Sequence, residues 1–120
     1  MSDRIELRAM GFSGLHGVLP IEAEQAQPFE VDVVLELDLA AAGTTDDLDR
    51  TVDYGTAFAA ARDVVEGPHV ALLETLAERI AARVLGQHSR VAAVTVRVRK
   101  MEPPLPGDLR WAGIEIRRYR

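Results

Sequence analysis

FEVDVVLELDLA, residues 29–40, places Phe29, Val31, Val33, Leu35, Leu37 and Leu39 on one face of an extended chain and Glu30, Asp32, Glu36 and Asp38 on the other. That pattern is a strand with one buried and one polar face. The same period of two recurs in three further segments. RIELRAM (4–10) sets Ile5, Leu7 and Ala9 opposite Arg4, Glu6 and Arg8; VTVRVRK (94–100) sets Val94, Val96 and Val98 opposite Thr95, Arg97 and Arg99; AGIEIRRYR (112–120) sets Ile114 and Ile116 opposite Glu115 and Arg117. Between the second and third strands the period lengthens to that of a helix. YGTAFAAARDVVEG (54–67) follows Asp53 as a cap and stops at Gly67-Pro68. LLETLAERIAARVLG (72–86) has apolar pairs at 72/73, 76/77, 80/81 and 84/85, a polar face of Glu74, Glu78, Arg79 and Arg83, and Gly86 as its stop. Residues 11–28 read as a long irregular loop, and 41–52 as a connector.

The order β-β-α-α-β-β predicts an α+β fold, with an antiparallel sheet covered on one face by two helices, as a single domain over residues 1–120. The other sheet face carries acids on the second strand and mostly arginines on its neighbours, so cross-strand pairs can neutralise one another. Such a face meets solvent or lines the lumen of a barrel built from several subunits, and periodicity leaves both open.

Composition narrows the function. Hydrophobic residues are 48% of the chain and aromatics 5%, so the core must come from Val, Leu, Ile and Ala. A net charge of −5 argues against a nucleic-acid backbone or an anionic membrane as partner. There is no cysteine, hence no disulfide and no thiol nucleophile. The opening MSDRIELR lacks the basic-then-apolar pattern of a leader, and the expected location is cytoplasmic.

Of 14 basic residues only Lys100 is a lysine. It falls in phase with Val94, Val96 and Val98, on the apolar stripe, where a desolvated lysine can give and take a proton as an arginine cannot. A strand-end lysine that snorkels to water has the same phase. Glu74, in the first turn of the second long helix, is explained by the helix dipole alone, although its two oxygens also suit the paired N–H groups of a planar heterocycle. Glu22 lies in the glycine-marked run GLHGVLPIE, and Tyr54 opens the first long helix. His16, His69 and His88 stand apart in sequence, with no spacing that suggests a metal site.

GFSGLHGVLPIE, TVDYG, LLETLAERIA and KMEPPLPG…GIEI, in this order and spacing, resemble the dihydroneopterin aldolases, from RIELRAMGF almost to the end. Many members have Lys-Pro where Met101-Glu102 here separate Lys100 from Pro103. The resemblance implies the tunnelling fold, whose sheets join into an oligomeric barrel, with two tetrameric rings stacked as an octamer and sites between subunits. It implies retro-aldol cleavage of 7,8-dihydroneopterin in folate synthesis, without cofactor, metal or Schiff base. By position, Glu74 matches the pterin anchor with Leu73 beside it, Tyr54 the residue given across the interface, Glu22 the loop acid, and Lys100 the general acid/base. An epimerase or side-chain oxygenase on this scaffold, or a non-catalytic pterin-binding oligomer, are the alternatives.

Overall fold

The computed structural model describes residues 3–120; Met1 and Ser2, which open the segment read for a leader, lie outside them. Strands β1 (Arg4–Gly14), β2 (Gln27–Glu36), β3 (Ala93–Lys100) and β4 (Ala112–Tyr119) form an antiparallel sheet in chain order. Helices α1 (Ala40–Thr45), α2 (Tyr54–Val65) and α3 (Leu73–Gln87) lie between β2 and β3 in sequence. No helix among the described residues is long and apolar enough to cross a membrane.

Register follows from the alternation. Val31, Val33 and Leu35 face Val98, Val96 and Val94 across the β2–β3 ladder, and all six are buried. Against this face α2 buries Ala57, Ala60, Ala61 and Val65, and α3 buries Leu76, Ala77, Ile80, Ala81 and Val84. Each large apolar side chain among them contributes about 1.5–3 kcal/mol by leaving water. Asp53 caps α2 by accepting from the Gly55 amide at 2.9 Å, as its place before the helix predicts.

β1 departs from the reading of Ile5, Leu7 and Ala9 as one face. Leu7 pairs with Val33 but Met10 with Val31, so β1 carries one extra residue at this point. Ala9 has φ 55° and is exposed, while Met10 and Phe12 turn inward. A β-bulge has reversed the phase, and the Asp32 side chain accepts the freed Ala9 amide at 2.7 Å. Alternation alone carries no signal for it. Beyond the bulge β1 runs on to Gly14 and β2 starts at Gln27, so the irregular loop is shorter than 11–28 and contains a 3-10 turn, Pro20–Ala23.

Two further expectations are corrected. β2 ends at Glu36, and the connector begins as α1, where three alanines favour a helix and Asp38 accepts from the Ala40 amide at 2.8 Å. Gly86 does not end α3: its φ is not left-handed, and the ladder continues until the His88 amide reaches the Val84 carbonyl at 3.1 Å. A glycine is a strong helix stop in the αL conformation, which Gly86 does not take.

The polar sheet face pairs as its charges predict. Arg99 forks onto both Asp32 oxygens at 2.9 Å and reaches Glu30 at 3.1 Å; Arg117 forks onto Glu36 at 2.8 Å. Arg8 and Arg97 also turn towards Asp32, at 3.8 and 3.7 Å.

Candidate functional site

β3 ends with Lys100 opposite Phe29, still in phase with its buried valines. Its Nζ donates to Glu22 Oε2 at 2.7 Å, and the two side chains are only 12% and 6% exposed. Glu22 owes this position to the Pro20–Ala23 turn, with Pro20 at the first helical position where no N–H is needed. The Leu19 amide donates to the other carboxylate oxygen at 3.3 Å, and Gln27 Nε2 donates to Oε2 at 3.0 Å. Burial opposes the Glu22 charge, but the bonds from Lys100, Gln27 and Leu19 outweigh it and hold the carboxyl below its usual range. At neutral pH Glu22 is therefore a carboxylate, and it fixes the direction in which Lys100 Nζ points. Gly17 (φ 148°) packs its Cα against that carboxylate, and a Cβ would lie 2.3 Å from it. Only glycine fits there.

The entry of α3 lies at the same end of the sheet. The Gly17 amide donates to the Val70 carbonyl at 3.0 Å, and His69 Nε2 donates to the Gly17 carbonyl at 3.0 Å. Three residues past Val70, Leu73 is half-buried and Glu74 is exposed in the first turn, without a side-chain partner among the described residues. An exposed carboxylate at a helix entry and a buried lysine–carboxylate pair thus share one end of the fold, an arrangement able to hold a flat heterocycle by one edge and exchange protons at the other.

Tyr54 stands apart. It is 61% exposed at the start of α2, beside a hollow lined by Ile5, Leu39, Leu48 and Val52. α2 runs roughly 17 Å from there to Val65, which lies at the Lys100 end. The fold therefore brings Lys100 and Glu22 into contact, with Leu73 and Glu74 nearby, and leaves Tyr54 at the opposite end of the chain's sheet. Another groove, between α2 and α3 and lined by Asp63, Val64, Pro68, Arg79 and Arg83, holds none of the candidate residues.

Sequence reasoning missed several supporting groups. Gln27 bridges Glu22 and the His16 carbonyl, at 3.0 and 3.2 Å, from a strand start that carries no motif. His16 and His69, isolated in sequence, stack at 6.4 Å because the turn after β1 meets the α2–α3 connection. Only the glycines flanking His16 in GLHG, if read as close-packing positions, point towards this contact.

The family model for dihydroneopterin aldolase (FolB) matches residues 5–117. The dihydroneopterin aldolase of Bacillus subtilis is 47% identical over 118 residues, 98% of each chain. Among solved structures, the E. coli dihydroneopterin aldolase in complex with neopterin superposes with a TM-score of 0.88 at 23% identity, covering 97% of this chain and 98% of that one. The dihydroneopterin aldolase of Burkholderia thailendensis, bound to guanine, does so with 0.79 at 29% identity, covering 98% and 91%. The chain has the tunnelling fold of these proteins.

Proposed function

The chain belongs to the dihydroneopterin aldolase family, and we infer from that membership that Lys100, Glu22, Leu73, Glu74 and Tyr54 bind and cleave 7,8-dihydroneopterin at a site shared by two subunits. The observation that carries the assignment is the buried Lys100–Glu22 contact at 2.7 Å, at the same end of the subunit as Glu74. The guanine held by the Burkholderia relative supports the class of ligand, since guanine shares the amino-pyrimidinone edge of a pterin.

The bond between the first and second side-chain carbons breaks as a base takes the proton of the hydroxyl on the second carbon. That carbon leaves as the aldehyde carbon of glycolaldehyde, and the electron pair moves into the ring's C=N bond as N5 gains a proton. Reprotonation at the exocyclic carbon, with loss of the N5 proton, gives 6-hydroxymethyl-7,8-dihydropterin. The substrate carries its own electron sink, so Lys100 acts as proton donor and acceptor, directly or through a water, and not as an imine former. Glu22 aims Lys100, Glu74 receives the ring's amino and amide N–H groups beside Leu73, and Tyr54 of the neighbouring subunit assists at the side-chain hydroxyl. Rotation and re-addition of a retained glycolaldehyde account for epimerisation of the side chain as a second activity of the same site. Incubating the purified protein with 7,8-dihydroneopterin and separating the products tests this: hydroxymethyldihydropterin and glycolaldehyde are expected, with some side-chain epimer. Epimer without cleavage would make the protein an epimerase.

The proposal includes one domain, a cytoplasmic location and an octamer of two stacked tetrameric rings. Edge strands β1 and β4 lie on opposite sides of the sheet, free to pair between neighbours around a ring, with the charged face turned to the lumen. Tyr54→Phe and Lys100→Ala subunits, each inactive alone, should recover activity when co-expressed, because some mixed interfaces unite an intact Tyr54 with an intact Lys100. Verified mixed oligomers as inactive as either parent would remove Tyr54 from the shared site.

Glu74→Gln should weaken pterin binding much more than folding. The amide turns a donor towards ring N–H groups and forfeits charge-assisted bonds of about 1.5–3 kcal/mol each. Calorimetric titration with 6-hydroxymethyl-7,8-dihydropterin checks this; unchanged affinity would leave Glu74 as a helix-dipole acid.

A further inference from the structure

His16, in the turn after β1, is fully buried. The Val70 amide donates to its Nδ1 at 3.1 Å, so the ring proton sits on Nε2, which donates to the Val65 carbonyl at 2.6 Å. Burial holds the imidazole below its ordinary pKa against the opposing pull of the Val65 carbonyl, and the charges of His69, Lys100 and Arg79 add to the effect of burial. The ring stands edge-on to Phe29 at 5.5 Å. Gly14 makes room for this: a Cβ there would lie 2.7 Å from the Val65 carbonyl oxygen and 2.8 Å from the ring.

Val65 is the last residue of α2, and Val70 lies three residues before α3. One imidazole therefore ties down both sides of the α2–α3 connection. Its own carbonyl accepts from Gln27, whose amide also holds Glu22, and the following residue, Gly17, packs against the Glu22 carboxylate. His16 is the joint between the half of the site that would grip the pterin ring and the half that would move its protons.

We propose that His16 is a positioning residue for the reaction: its ring fixes the entry of α3, and with it Leu73 and Glu74, against the Glu22–Lys100 pair. The inference rests on the assignment of those residues to pterin binding and cleavage. A dihydropterin is rigid, so its anchored edge and its reacting nitrogen meet their partners together only if that spacing is held.

The two ring bonds separate by substitution. Asparagine places an acceptor near the position of Nδ1 and keeps the Val70 bond, but leaves the Val65 carbonyl unpaired. Glutamine reaches the Val65 carbonyl and leaves the Val70 amide orphaned. His16→Asn is expected to melt below the parent yet bind 6-hydroxymethyl-7,8-dihydropterin within about 3-fold of it, while His16→Gln should bind roughly 10-fold or more weakly, with KM raised more than kcat is lowered. Equal losses in both, or none in either, would make His16 a packing residue and overturn the proposal. The parent offers a test without substitution. If the Val70–His16 bond favours pterin binding, bound pterin must favour that bond, and the Val70 amide should exchange more slowly at saturating product. An unchanged exchange rate overturns the proposal even if His16→Gln does not fold. Turnover by the parent is read separately: a parent that neither binds nor cleaves pterin defeats the functional assignment, and a parent that does both leaves His16 alone at stake.

Discussion

Lys100→Arg should fold, assemble and retain pterin binding while losing cleavage by roughly 10²-fold or more, the scale of a lost general acid/base. The substitution keeps the positive charge beside Glu22 and much of the stem, so a lysine that merely closed an ion pair would tolerate it. A proton-transfer role would not survive. A guanidinium keeps its proton at any working pH, and its planar fork needs more room than the 12%-exposed Lys100 side chain has beside Glu22. Single-turnover rates with 7,8-dihydroneopterin, beside product titrations that monitor binding, measure the loss. A fully active variant would return Lys100 to a structural role. Borohydride added during turnover of the parent should trap nothing on this lysine, because the substrate's own C=N bond takes the electrons; a covalent adduct there would keep Lys100 and replace the mechanism.

The largest stability effect is expected at Asp32. It is 5% exposed at the centre of the polar face, where it receives Arg99 on both oxygens and the Ala9 amide of the β-bulge. Asp32→Ala removes those bonds, leaves the mostly buried Arg99 guanidinium with Glu30 as its one remaining carboxylate partner among the described residues, and takes away the group that closes the bulge. A broken buried pair of this kind costs about 3–5 kcal/mol, measurable by denaturant unfolding at neutral pH. A loss below about 1 kcal/mol would mean that water replaces the carboxylate freely. The acid limb follows the same residue. Hydrogen bonding from Arg99, opposed by burial and aided by the Ala9 amide, lowers the Asp32 pKa to about 2 from 3.8. A lowered carboxyl stabilises the fold fully above its unfolded pKa and loses that contribution as pH falls through the folded value. About 2 kcal/mol of stability should therefore disappear between roughly pH 4 and pH 2, and this part of the titration should be absent in Asp32→Ala.

Most elements follow from local pattern. The alternation in residues 29–36 and 94–100 sets two buried strands in register, and the Asp53 cap and apolar pairs of 72–85 set two helices. These signals are strong because a period of two or 3.6 is imposed on consecutive residues by the geometry of one element. Lys100 stood out by the same means, as a titratable group on an apolar stripe in a chain that otherwise uses arginine. Family likeness, more than any single motif, linked it to Glu22, Glu74 and Tyr54.

The reversal of phase at Ala9 lay beyond local pattern, because the bulge is closed by Asp32, 23 residues away. So did the Lys100–Glu22 contact across 78 residues and the stacking of His16 on His69. The separation of Tyr54 from Lys100 is a matter of three dimensions as well: both flank apolar runs, and only the direction of α2 along the sheet puts them at opposite ends. Periodicity tells which way a side chain points from its own element. Which distant group it meets depends on how elements pack, and that is settled by the joint burial of the valine and alanine faces, a sum over the whole core that no short stretch of chain contains.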